Sequence, residues 1–372
     1  MGTNRRLWIK QMSLIATGIG LSGFKTFAAG RHSNTGYRVS ALQTSDAPII
    51  LRANENPYGP SPLARQAITD HISITNRYNW ELAPELITAL AKKNDVNEEN
   101  ILLGAGSTEI LDLTAKLAAS GQGNYVIADP SYDYWTSTLD GLGLQKIKVS
   151  CSKNKEIDLT AMLRAITKET RLVYICNPNN PTGTLLYRKS LEEFIATVPL
   201  TTLILVDEAY LDFTEEQSLA DLTKQYPNLI IAKTFSKIYG LAGARIGYAI
   251  AHKATIDKLS SLQSNTNNSV SVLSKLAAIA SLKDRKFVMD CYKLNAVARA
   301  YTIAALGKLN CRCIPSHTNF IYFSLADYTK DYFKLLESAN IQGTRFYEEQ
   351  GKWTRITVGK MDEMKAFINA IS

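Results

Sequence analysis

The segment Thr234-Phe235-Ser236-Lys237-Ile238-Tyr239-Gly240-Leu241-Ala242-Gly243-Ala244-Arg245 sets one lysine among small polar residues, then a Gly-rich loop, then an arginine. A lysine that forms an imine needs room around its amine and a fixed partner beside it. Glycine lets the backbone approach a ligand closely, and arginine grips a phosphate through two parallel hydrogen bonds. Upstream, Gly104-Ala105-Gly106-Ser107 opens a helical run beginning at Ile110. A turn of that kind presents unpaired N–H groups and a positive dipole end to an anion. Between the two lie Asn177-Pro178-Asn179-Asn180-Pro181-Thr182-Gly183 and Val206-Asp207-Glu208-Ala209-Tyr210. The first holds the Asn180 amide in a Pro-bounded turn, and the second puts a carboxylate at the end of an apolar strand. Taken singly, they are an ordinary turn, a helix cap or a metal ligand. No histidine or further acidic pair accompanies Asp207, which argues against a metal.

These residues need a frame that gathers them. Short apolar runs at 101–103, 125–128, 146–149, 172–176, 203–207 and 229–234 alternate with helix-length segments. That pattern predicts βαβ units and a mostly parallel, covered sheet. Ligands of such sheets sit beyond the C-terminal strand ends, and the motifs fall at those ends. The chain of 372 residues, 45% hydrophobic and 20% charged, is long enough for a large domain and a smaller one. Its net charge of +8 is scattered rather than clustered, so nucleic-acid binding is not expected. Five cysteines form neither a disulfide framework nor a metal ligand set.

The first residues read as an address. Asn4-Arg5-Arg6-Leu7-Trp8-Ile9-Lys10 precedes a short apolar stretch and Thr26-Phe27-Ala28-Ala29. A charged start, an apolar run too short for a confident membrane span and small residues make an export signal, with cleavage expected after Ala28. The adjacent arginines resemble a twin-arginine signal, which makes a periplasmic location the expectation and a cytoplasmic one the alternative.

Together the lysine segment, the Asn-Pro turn and the Asp-Glu-Ala-Tyr strand end resemble the class I and II aminotransferases that use pyridoxal phosphate. The histidinol-phosphate aminotransferase branch is the nearest, through Leu51-Arg52-Ala53-Asn54-Glu55-Asn56-Pro57-Tyr58-Gly59-Pro60 and Thr354-Arg355-Ile356-Thr357-Val358-Gly359. The resemblance implies an α/β fold of the aspartate-aminotransferase type. In such a fold, a large domain with a mostly parallel seven-stranded sheet would be joined to a smaller α+β domain. It implies that Lys237 carries the imine, that Asp207 pairs with the ring nitrogen, and that Tyr210 and Asn180 hold the ring while Tyr132 stacks on it. Ala105, Gly106, Ser107, Ser236 and Arg245 would hold the phosphate. Arg355, Tyr58 and Asn56 would face the substrate. Arg345 is either the arginine for a distal substrate phosphate or a surface residue. Tyr78 would reach the neighbouring subunit's cofactor, which implies a homodimer. The expected partners are an amino acid or amino phosphate donor, histidinol-phosphate-like or aromatic, and a 2-oxo acid such as 2-oxoglutarate; the alternatives are a decarboxylase or lyase on the same fold and a non-catalytic ligand-binding relative. The expected layout is a signal at 1–28, an arm at 29–47, a small-domain or arm segment at 48–75, the large cofactor-binding domain at 76–282 and the small domain at 283–372.

Overall fold

The computed structural model describes residues 47–372. The expected signal and nearly all of the expected arm lie outside the described residues. The strands are β1 (Ile49–Ile50), β2 (Ile101–Gly104), β3 (Asn124–Asp129), β4 (Gln145–Ser150), β5 (Thr170–Cys176), β6 (Leu203–Asp207), β7 (Leu229–Thr234), β8 (Gly247–Ala251), β9 (Arg312–Cys313), β10 (Phe320–Ser324), β11 (Ile341–Gln342), β12 (Phe346–Glu348) and β13 (Trp353–Thr357). Seven of them form one sheet in the order β2-β8-β7-β6-β5-β3-β4. All neighbours in it are parallel except β8, which runs antiparallel to both β2 and β7.

The central strands read as unbroken apolar runs because both of their faces are covered. Leu103, Val126, Val173 and Ile204 pack into the core on one face. Leu102, Ile127, Leu172 and Leu205 pack into a second core on the other. The edge strand β4 differs: it is partly exposed and carries Lys146 and Lys148, charges that discourage further strand pairing. Strand β8 is the member that the sequence reading left unassigned. It begins at Gly247, where a β-carbon would run into the backbone N of Ser107, so this approach admits only glycine.

A four-stranded antiparallel sheet, β12-β13-β10-β9, and the parallel pair β1-β11 complete the strands. Ile321, Phe323 and Ile356 from this sheet meet Leu306 and Phe367 from the helices Arg285–Lys308 and Met361–Ile371 in a third core. Strands β9, β11 and β12 were not foreseen, because two or three residues are too few to display alternation. Among the described residues, no helix is long and apolar enough to cross a membrane. Nor is there a group of three His, Cys, Asp or Glu side chains that could hold a metal.

Candidate active site

A cavity of about 740 Å³ opens at the C-terminal ends of β5, β6 and β7, where Cys176, Asp207 and Thr234 line it. This is an ordinary size for a small-molecule site. Ser107 and Thr108, from the start of the helix Ser107–Ala118, line one side. Arg345, Tyr347 and Arg355 come from the four-stranded sheet and the turn before it.

Asp207 is 3% exposed. Its carboxylate accepts from the Tyr174 hydroxyl at 3.2 Å and from the backbone N–H of Ala209 at 3.0 Å. Burial pushes its pKa up to about 6, against the lowering effect of these two hydrogen bonds. The next residue, Glu208, is equally buried but bonds elsewhere: it pairs with Lys233 at 2.6 Å and accepts from Ser218 and the N–H of Leu219. So only the first carboxylate of the pair belongs to the cavity.

The Lys237 amine lies 5.4 Å from the Tyr210 ring centre and donates to the Ala53 carbonyl at 3.3 Å. Burial first, and then the Arg355 charge, lower its pKa to about 8. The Tyr210 hydroxyl accepts from the Asn54 amide at 2.9 Å and from the Asn180 amide at 3.5 Å. Asn180 in turn accepts from Arg355 Nη1 at 2.5 Å, while Arg355 Nη2 donates to the Arg52 carbonyl at 2.8 Å. Arg355 Nε is buried without a hydrogen-bond partner. At the opposite end, Arg245 adopts the left-handed backbone (φ 53°), which is uncommon outside glycine and asparagine. Its guanidinium donates to Ser236 Oγ at 3.4 Å, to the Ala242 carbonyl at 3.0 Å and to Thr108 Oγ1 at 3.3 Å. The result is a cation and hydroxyl cluster at a helix N-terminus, the arrangement that favours a phosphate.

The comparisons with known proteins decide what these parts amount to. The model for the family "Aminotransferase class I and II" matches residues 47–371. The chain belongs to that family. A histidinol-phosphate aminotransferase of Moorella thermoacetica is 36% identical over 328 residues, 87% of this chain and 84% of the relative. An aromatic amino acid aminotransferase of Thermobifida fusca is 34% identical, over 86% of this chain and 88% of the relative. The crystal structure of histidinol-phosphate aminotransferase from Sinorhizobium meliloti in complex with pyridoxal-5'-phosphate superimposes with a TM-score of 0.80 at 26% identity, covering 93% of this chain and 98% of that one. This chain is therefore a pyridoxal-phosphate-dependent aminotransferase.

The cavity suits that cofactor on its own terms. A buried carboxylate with a raised pKa gains from a cationic ring nitrogen beside it. A lysine with a lowered pKa supplies a neutral amine near physiological pH. The Arg245 cluster matches the phosphate. Tyr132 lines the cavity with them. Five expected residues, Ala105, Gly106, Asn56, Tyr58 and Tyr78, are not among the lining residues. The Ala105 N–H is already taken, bonded to Glu109 at 2.6 Å. Asn56 and Tyr58 do not line this cavity. The stretch Arg52 to Asn54 lines the cavity, and Asn56 and Tyr58 lie beyond Asn54, which has φ 55°. Asn56 bonds the Ile238 carbonyl at 2.7 Å, one residue past Lys237, and Tyr58 packs against the large core. Tyr78 is 76% exposed, outside its own chain's cavity, and stacks on Trp80 at 4.8 Å. Arg345 stands at the cavity and bonds the Tyr134 hydroxyl at 3.4 Å. Arg52, Asn54, Thr108, Tyr134, Thr344 and Tyr347 are lining residues that the sequence reading missed.

Gly106 offers a direct test of the phosphate end. It has φ 78°, and a β-carbon there would strike the Arg245 guanidinium. Gly106→Ala is expected to weaken cofactor binding by at least about tenfold, since the displaced guanidinium loses a charge-assisted hydrogen bond to the phosphate, a loss of roughly 1.5–3 kcal/mol. Titration of the empty protein with pyridoxal phosphate, followed by visible absorbance, reads this. Unchanged affinity would remove Gly106 and Arg245 from the phosphate site.

Proposed function

We propose that the amino donor carries an anionic group and a flat aromatic or imidazole-type side chain, with histidinol phosphate and the aromatic amino acids as the leading candidates and 2-oxoglutarate as acceptor. The observation that carries this reading is the lining itself. Tyr132, Tyr134 and Tyr347 supply flat apolar walls, while Arg52, Lys237, Arg245, Arg345 and Arg355 face a single lining carboxylate, Asp207. With Arg245 given to the cofactor phosphate and Lys237 to chemistry, Arg355 is left for the donor's anion. Arg52 and Arg345 then serve a second anionic group on either substrate. The relatives named for histidinol phosphate and for aromatic amino acids are the two uses this lining accommodates.

In this reading each residue has one task. Bound pyridoxal phosphate supplies an electron sink for the charge that develops at the donor Cα. Asp207 would hold a proton on the ring nitrogen, Asn180 and Tyr210 would hold the ring oxygen, and Tyr132 would cover the ring face. Lys237 Nζ would take the proton from the donor Cα and hold it until it is delivered to the product. Arg355, itself fixed by Asn180 and the Arg52 carbonyl, orients the donor.

Two features outside the cavity complete the proposal. The exposed Tyr78-Trp80 pair would be covered in a homodimer, in which Tyr78 meets the other subunit's cofactor. The charged and apolar start at Asn4 to Phe24 would export the folded enzyme to the periplasm, where an aromatic or modified amino acid is a better candidate than a biosynthetic intermediate.

A donor panel tests the substrate reading. The holoenzyme should lose its visible absorbance on adding histidinol phosphate or an aromatic amino acid, and recover it with 2-oxoglutarate. Bleaching by small aliphatic amino acids alone would overturn the substrate reading. Stoichiometric release of carbon dioxide would favour the decarboxylase alternative.

A further inference from the structure

Strand β12 pairs with β13 through Phe346↔Thr354 and then Glu348↔Trp353, so two steps on β12 answer one on β13. Tyr347 is the extra residue of this β-bulge. Bulges re-aim a side chain, and Tyr347 lines the cavity, its ring centre 5.1 Å from the Arg355 guanidinium carbon. Next to it, Glu348 is held from two directions. One oxygen accepts from the Tyr322 hydroxyl at 2.6 Å, and the other pairs with Lys155 at 2.7 Å. Tyr322 is fully buried and stacks on Trp353 at 5.2 Å, and the Lys155 amine lies 5.0 Å from that same indole.

The lysine end of this clasp is tied to the loop that holds Arg355. The Lys155 carbonyl accepts from Thr184 Oγ1 at 3.1 Å, Thr184 meets Thr182 at 2.8 Å, and Thr182 accepts from the Asn179 amide at 2.9 Å. Asn179 adjoins Asn180, the acceptor for Arg355. The contacts therefore close a ring from Arg355 through Asn180, Lys155 and Glu348 to Tyr347 and back to Arg355. These contacts hold strand β12 at Glu348, and the Tyr347 ring itself meets Tyr322 edge-on at 6.1 Å on one side and the Arg355 guanidinium on the other.

We propose that Tyr347 is a specificity-determining residue for flat substrate side chains, and that the Glu348–Lys155–Tyr322 clasp positions it. Tyr347 presents a wall beside the Arg355-bound anion, so a carboxylate with an aromatic side chain can stack there while an aliphatic one gains only ordinary contact. Glu348 touches no substrate; it acts through Tyr347. The inference deepens the donor reading given above and concerns the same cavity.

The test is binding of two turnover-inert probes to the holoenzyme, 3-phenylpropionate and 4-methylpentanoate, by calorimetry. The intact enzyme should prefer the aromatic probe by about tenfold, the scale of one aromatic pair. Tyr347→Ala should erase the preference and Tyr347→Phe should restore it. Glu348→Gln and Lys155→Met should each reduce it, and the double variant should lose no more than the worse single one. Equal weakening of both probes in Tyr347→Ala, or no preference in the intact enzyme, overturns the proposal. So does a preference that survives both Glu348→Gln and Lys155→Met, since the clasp would then position nothing. Because the probes undergo no transamination, a failed donor panel with an intact aromatic preference would sink the donor identity and leave this inference standing.

Discussion

Lys237→Ala is expected to bind pyridoxal phosphate and to transaminate at least about 10⁴-fold more slowly than the intact enzyme, the scale of removing a covalent nucleophile that is also the proton carrier. The two tasks fall on one atom. The amine sits over Tyr210 and donates to the Ala53 carbonyl, so it is aimed before any ligand arrives. Burial and Arg355 hold its pKa at about 8, and so capture of the cofactor by the empty protein should accelerate as pH rises toward 8 and then level off. An unperturbed lysine would still be accelerating at pH 10. In Lys237→Ala the phosphate cluster around Arg245 is untouched, which is why binding survives. Stopped-flow absorbance with a preloaded enzyme separates the two effects. Transamination retained within tenfold would remove Lys237 from the chemistry.

The strand-end residues were legible because burial writes them into the sequence. Strands β5, β6 and β7 are covered on both faces, so their apolar runs are unbroken, and the first polar residues after each run mark the strand ends. Asn180, Asp207, Ser236 and Lys237 follow from that pattern, and Arg245 follows from the glycines before it. Residues that reach the cavity through a local backbone departure were not legible. Asn54 enters through a positive φ, Tyr347 through a bulge and Arg52 through an exposed stretch with no periodicity. Asn56 and Tyr58 lie past Asn54, outside this chain's own cavity, and line a neighbouring pocket instead. The turn pattern also does not show that Glu109, in the first helical turn, reaches back to the Ala105 N–H. No spacing rule reveals β8, whose five buried residues follow the lysine segment directly and run against their neighbours.

Asp207→Asn should act in opposite directions on the empty and the loaded protein. In the empty protein the Asp207 pKa stands at about 6 against an ordinary 3.8, so between those values the folded chain holds a proton that the unfolded chain has lost. Stability then falls as pH rises through this window, and above it the cost is about 3 kcal/mol. Asparagine is neutral, fills the same space and can still accept from the Ala209 N–H. The empty variant should accordingly be more stable than the empty native protein at pH 7, with the difference vanishing below about pH 4. Loading reverses the order. A protonated ring nitrogen beside Asp207 offsets the cost of burying its charge, and asparagine offers no such charge, so the cofactor should stabilise the variant less. Turnover should fall at least about 10²–10³-fold, as when one preorganised electrostatic partner of a developing charge is removed. Denaturant unfolding of both proteins, empty and loaded, from pH 4 to pH 8 measures every part of this. If the empty variant is the less stable one at pH 7, the carboxylate is already paired within the chain, and the case for a cationic cofactor atom beside it collapses.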